Sequence, residues 1–448
     1  MTQRTVQKKP GPDQTLLAVL AAAFVLILVL LPFHAFFSTW GGSAIGPLLV
    51  WKSWKEILIA ILVPVVVWIC VLRPDIARTI WGRWYNKVIV AYVLLTVVWA
   101  VFSPANTEAV IAGLLMNLRF LAMFVVAQVI LAGDAPWLAT LKNRLAVWIV
   151  AAGVFVSVLA ILQVTVIPKD FLTHFGYNKD TTISPYLLID DNPNALRAFS
   201  TMRGPNTLAA YLLLPLAAAL VLLWRHRARW WMAGFAVLMA TAIFVSHSRS
   251  GWLGAAAMLA ALAFVVLPRD KLIKWVKFGT IPALIVGAVV LWLATTVPAI
   301  RLVVFHSGGN DPSESLTEGS TDQHWQATLN GINHIVAAPL GEGVGVAGPA
   351  SFYIPNGASI PENYFVQIGQ EVGVLGLALF VVISFGVARA LWQNKAAVWP
   401  KALLASFVGI NVINLLLHGW ADDPTAMTWW GIAGLAVAAG KTKRVQSK

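Results

Sequence analysis

Three arginines occupy places where an apolar chain seldom keeps them. Arg197 and Arg203 lie in Arg197-Ala-Phe-Ser-Thr-Met-Arg-Gly-Pro-Asn206, just ahead of an apolar run, and Arg249 lies in Ser246-His-Ser-Arg-Ser-Gly251, between two such runs. A guanidinium is a planar fork of N–H donors, charged at any working pH and matched to phosphate oxygens. At headgroup depth it suits a lipid-linked phosphate or pyrophosphate; the plainer alternative is contact with bulk phospholipid. A second group flanks the glycine-rich turn Pro339-Leu-Gly-Glu-Gly-Val-Gly-Val-Ala-Gly348, with His324 beside a Trp on one side and the acidic exit Pro361-Glu362-Asn363 on the other. A third group lies inside apolar runs. Charges there are costly and point to function by default. Arg119 and Glu371 are two such residues, and a pair between them would account for both. Asn363, Gln367 and Gln370 recur at i, i+4, i+7, and Asn411, Asn414 and His418 at i, i+3, i+7. These stripes suggest a hydrated cavity open to one face, or hydrogen bonds between helices.

The elements that must position these groups are apolar helices. Hydrophobic residues make up 59% of the 448 and charged residues 11%, against roughly 25% charged in a soluble domain. Mean hydropathy is +0.76. The repeated apolar runs have the length that crosses hydrocarbon. The expected fold is therefore an all-α polytopic membrane protein, one membrane domain over 1–448, embedded in a lipid bilayer. The single cysteine, Cys70, excludes an intramolecular disulfide and thiolate-built metal sites. The first apolar run, Leu16–Phe37, follows Lys8 and Lys9 and reads as a signal anchor.

Twelve spans are expected, near 15–37, 54–72, 87–103, 108–132, 145–167, 207–224, 230–248, 251–267, 278–298, 363–388, 402–418 and 425–440. Basic clusters alternate with basic-poor connections and hold most of the 32 Lys and Arg. The positive-inside rule puts those clusters, and both termini, in the cytoplasm. It also explains the net charge of +13 without a nucleic-acid partner. The outer face then receives two long loops, 168–206 and 299–362, the latter between spans 9 and 10. Loops of this length are functional or disordered, and their Trp, Tyr, Phe and Pro favour a folded state. In the second, Ser320–Gln323 fits a capping box. Trp325, Leu329, Ile332 and Val336 recur at helical spacing. Pro339 ends that helix in what reads as a flexible turn.

Four motifs in this order resemble the O-antigen ligase and Wzy-type polysaccharide polymerase superfamily, bacterial inner-membrane glycosyltransferases of GT-C-like architecture. They are Arg197 with Pro205-Asn206, Ser248-Arg249-Ser250-Gly251, Trp325 through Pro339-Leu-Gly-Glu-Gly-Val-Gly345, and Glu362-Asn363-Tyr364 continuing to Glu371-Val-Gly-Val-Leu-Gly376. The resemblance covers roughly 190–390. It implies a glycan donor on undecaprenyl pyrophosphate and a glycan acceptor. Arg197 and Arg249, with Arg203 as a further candidate, would hold the pyrophosphate at a periplasm-facing site. Asn363, Gln367, Glu371, Arg119 and His418 would support a polar cavity. Neither a nucleotide sugar nor a metal is implied. One departure matters: ligases of the family typically show His-Asn where this chain has Glu362-Asn363, and that His is taken as the base. Here the base is Glu362 or His324. A Glu at a helix start is held as the anion and is a weak base unless desolvated.

The resemblance leaves three readings. Polymerisation of O-antigen or exopolysaccharide repeat units leads, with a chain-length regulator as a possible partner. Ligation of finished polymer to lipid A–core is second. Transport of the same lipid-linked glycan is third; transporters tend to bind at the midplane between repeated halves, whereas here the unusual residues gather at one face.

Overall fold

The computed structural model describes residues 12–189, 192–225, 230–297, 301, 320–355 and 357–445. In chain order the helices are α1 (Pro12–Leu30), α2 (His34–Ala44), α3 (Leu48–Leu72), the short α4 (Pro74–Trp81), α5 (Trp84–Val101), α6 (Thr107–Ala132) and α7 (Leu138–Thr165). They continue with α8 (Pro205–Arg225), α9 (Trp231–Val245), α10 (Arg249–Val266) and α11 (Arg269–Thr296). After the second long loop's α12 (Ser320–Ala337) come α13 (Tyr364–Gln393), α14 (Val398–Asn414) and α15 (Asp423–Val445). Eight apolar segments among the described residues are long enough to cross a membrane: Asp13–Ala44, α3, α5, α6, α7, α8, α10 and α13. The four other expected spans coincide with α9, α11, α14 and α15. The chain is a polytopic helical membrane protein. The side chains of the expected capping box at Ser320–Asp322 lie outside the described residues, as do the N-terminal basic cluster and residues 226–229.

The all-α expectation needs one correction. The first long loop carries an antiparallel hairpin, β1 (Leu187–Ile189) and β2 (Asn192–Arg197), with Leu187 opposite Arg197 and Leu188 opposite Leu196. Short strands in a polar loop have no long apolar alternation to announce them. This loop is folded: Phe175 and Tyr177 pack on Phe36 and Trp40 of α2, with Phe171 against Phe175, and Gln163 Oε1 accepts from the amides of Phe199 and Ser200 at 3.0 and 2.8 Å. The chain between β2 and α8, with Arg197 and Arg203, is thereby fixed.

The core joins α6, α13, α14 and α15 through aromatic side chains. Phe120 and Phe124 of α6, Phe380 of α13 and Trp420, Trp429 and Trp430 are fully buried and in mutual ring contact. Trp429 Nε1 donates to the Leu403 carbonyl at 3.2 Å, so its polar atom is not stranded. In lipid, such close packing and internal hydrogen bonds hold helices together.

Candidate functional site

The glycine-rich turn is docked, not loose. Within α13 the backbone breaks at Gly373, with φ +75° and ψ 179°, a geometry open to glycine and strained for other residues. The break frees backbone groups, and the turn takes them. Glu342 N donates to Gln370 O at 2.8 Å, Gly343 N to Glu371 O at 3.1 Å, and Val374 N to Pro339 O at 2.9 Å. The Glu371 side chain, fully buried, completes the joint: Oε1 accepts from Gly345 N at 2.8 Å and Oε2 from Asn117 Nδ2 at 2.7 Å. At Gly345, φ is +89° and an added Cβ would stand 2.5 Å from the Ala109 carbonyl of α6. The expected flexible turn is thus a fitted plug between α6 and α13. Sequence could not show this, because its partners lie far along the chain.

The expected Arg119–Glu371 pair is not formed. Asn117 reaches Glu371, and Arg119, two residues on, points to nearly the opposite side of α6. There Arg119 pairs with Glu56 at 2.8 Å and with Asp423, and donates to the Ala421 carbonyl at 2.6 Å. Lys55 bridges Asp423 at 2.9 Å and Glu56 at 3.0 Å, and His34 Nε2 lies 3.4 Å from Asp423. The polar stripes meet loops. Gln367 and Gln370 are buried; Gln370 Nε2 donates to Glu342 at 3.1 Å. Asn363 Oδ1 caps α13 by accepting from Phe365 N and Val366 N at 2.9 and 3.1 Å, and its amide donates to Leu415 O. Asn414 Oδ1 accepts from Trp420 N at 2.9 Å. These amides fasten loops to helix ends.

Beside the start of α13 His324 and Glu362 meet. His324 Nδ1 lies 3.4 Å from Glu362 Oε2, covered from solvent, while 41% of the His324 side chain stays exposed. Glu362 itself is held in the left-handed region, φ +51°, where a side chain costs about 1–2 kcal/mol. The position is fixed from both sides, by Thr328 Oγ1 donating to Pro361 O at 2.9 Å and by the Asn363 cap. His418 is the third titratable group. Burial lowers its pKa to about 4; Glu362 opposes that shift and His324 adds to it. It is neutral at pH 7.

The arginines are tied to the start of α8. Arg197 Nε donates to Ser246 O at 3.3 Å, and its Nη2 to Asn206 Oδ1 and His247 O at 3.4 Å each. Asn206 Oδ1 also accepts from Ser248 Oγ at 2.8 Å, and Ser248 caps α10, which Arg249 begins. The N-termini of α8 and α10, both favourable to an anion, are therefore tied together beside Arg197 and Arg249. Arg203, 62% exposed, lies 3.7 Å from Asp422, whose other oxygen accepts from Thr207 Oγ1 at 2.9 Å. Burial raises the Asp422 pKa, with Arg203 and Thr207 acting the other way.

One segment connects both groups. The loop 415–423 passes His418 beside Glu362, Asp422 beside Arg203, and Asp423 into the buried ion network. Asp422, Asp423, Lys55, Glu56, His34 and Asn117 were not singled out from the sequence. A signal was there: Lys55-Glu56 near the start of an apolar run and Asp422-Asp423 at the head of another, one positive and three negative charges next to apolar sequence.

Residues 234–381 match a family model described as O-antigen ligase. No curated protein matches the chain. That segment, about a third of the chain, carries Arg249, His324 and Glu362, and its similarity to the O-antigen ligase family supports a membrane enzyme of the ligase or polymerase type.

Proposed function

We propose that this enzyme is a multi-pass protein of the bacterial inner membrane with both termini cytoplasmic and its site facing the periplasm. It moves a glycan from undecaprenyl pyrophosphate to a sugar hydroxyl, joining repeat units of O-antigen or exopolysaccharide. The observation that carries the reading is the His324–Glu362 pair at 3.4 Å, linked through one loop to the Arg203 side of an arginine cluster.

In this reading His324 is the base and Glu362 its orienting partner. Nδ1 faces the carboxylate, so Nε2 is left for the acceptor hydroxyl. The proton passes to Nε2 and the hydroxyl oxygen bonds to the anomeric carbon. The anomeric C–O bond breaks, and its electron pair leaves on the pyrophosphate. Glu362 steadies the imidazolium that forms, the part a carboxylate plays beside a catalytic His. Arg197, Arg203 and Arg249 neutralise the departing charge; they supply what a divalent cation would otherwise bring, so the reaction is metal-independent. Holding donor and acceptor in line supplies a further share.

Glu362 ahead of Asn363, where ligases of the family carry His, favours polymerisation, with a chain-length regulator as the expected partner. The description of the matching family model favours the second reading, ligation to lipid A–core. Purified protein in liposomes with its lipid-linked donor tests the chemistry: a ladder of lengthening products is expected. Intact donor with no joining overturns the reading. A deletion strain separates the two acceptors. Core bearing a single repeat unit marks lost polymerisation; long unattached polymer marks lost ligation.

A further inference from the structure

A groove of about 680 Å³ runs along α12, between that helix and residues 358–360. It begins at Ala327, one turn beyond His324, and ends at Ala337, about 15 Å along the helix axis. Its polar wall is made of the Asn330 and Asn333 amides on the helix, the Ser359 hydroxyl opposite, and His334. The His334 ring is already matched, with Nδ1 2.8 Å from Glu342 Oε1, and Glu342 Oε2 accepts from Gln370 at 3.1 Å. Neither Asn330 nor Asn333 makes a side-chain hydrogen bond among the described residues. Alanines and the Ile360 side chain line the rest.

Neutral amides over small apolar patches suit a chain of hydroxyl groups with apolar ring faces, and offer no positive charge to a phosphate. The arginines offer the converse. From Glu362 the arginines are reached through loop 415–423, whereas the groove is reached through Pro361 and α12, so the two surfaces leave the His324–Glu362 pair by different routes. The base must touch the acceptor. We propose that this groove is the acceptor subsite, holding a short uncharged stretch of the acceptor repeat unit while its terminal hydroxyl lies at His324. The proposal rests on the glycosyl-transfer reading above.

The probe is the repeat-unit oligosaccharide freed from the host's own lipid-linked pool by mild acid. Saturation-transfer NMR measures its binding to the purified full-length protein, alongside ladder formation in liposomes. Ala337→Trp fills the far end of the groove from an exposed position; Asn330→Ala with Asn333→Ala removes the amides without adding bulk. Wild type is expected to bind, His324→Ala to bind equally while joining nothing, and both groove variants to lose tenfold or more in affinity. If both groove variants bind like wild type while His324→Ala abolishes joining, the subsite falls and the reaction stands. If the groove variants lose binding in a protein that joins nothing with intact donor, the subsite stands and the reaction falls.

Discussion

Charge is arranged in two different ways on the two sides of Asp422–Asp423. On the inner side Asp423, Arg119, Lys55 and Glu56 form a closed set, with contacts of 2.8–3.0 Å and side chains 3–14% exposed. Each charge there already has an opposite one, and nothing is left to offer a substrate. On the outer side the pairs are longer and wetter: Arg203–Asp422 at 3.7 Å, His324–Glu362 at 3.4 Å. Exposed pairs of that kind contribute little to stability, so their members can exchange partners when an anion or a hydroxyl arrives. The inner set costs several kcal/mol to break. The contrast teaches that the costly charges hold the loop while the inexpensive ones are the candidates to react.

Four measurements press on that contrast, largest effect first. His324→Ala should lower kcat for glycan joining by about 10²–10⁴-fold, the span of a general base, with thermal stability unchanged; a loss of stability comparable to that of an inner-set variant would erase the distinction. Asp423→Asn leaves Lys55 and Arg119 undercompensated and should destabilise the protein by about 3–5 kcal/mol, read as a lowered Tm in detergent. An unchanged Tm would show the inner set to be no fastener. Asn363→Ala removes the α13 cap and should cost about 1 kcal/mol, and because the cap borders Glu362, kcat should fall with it. The smallest effect concerns pH. His418 titrates near 4 when folded and at its ordinary 6.5 when unfolded, so the unfolded state takes up the proton first. Stability should fall as pH drops from 6.5 toward 4, and His418→Gln should flatten that slope. An equal slope in the variant removes His418 as its cause.

The helical frame was legible because apolar runs of spanning length have one use in a chain this poor in charge. Arg197, Arg249, His324 and Glu362 were legible as residue types in unusual places. Their partners were not. Arg119 lies in an apolar run together with Asn117, and only the rotation of α6 decides that Asn117 meets Glu371 while Arg119 turns to Asp423, far along the chain. The glycine-rich turn read as flexible because glycine permits both looseness and close approach. Which one holds depends on Gly373, which lies beyond the reach of local pattern. The partners of the polar stripes of α13 and α14 were hidden for a similar reason: their spacing fixes a face, and the neighbours of that face are loops.

The left-handed backbone at Glu362 sets a limit on how this enzyme could be improved. A carboxylate at that position is held against the preference of its own main chain, and glycine would relieve the strain. Glu362→Gly should therefore raise stability by up to about 1 kcal/mol while stripping His324 of its partner and slowing the reaction. A selection for thermal tolerance alone would be drawn to that change, and would yield a sturdier protein that joins fewer sugars.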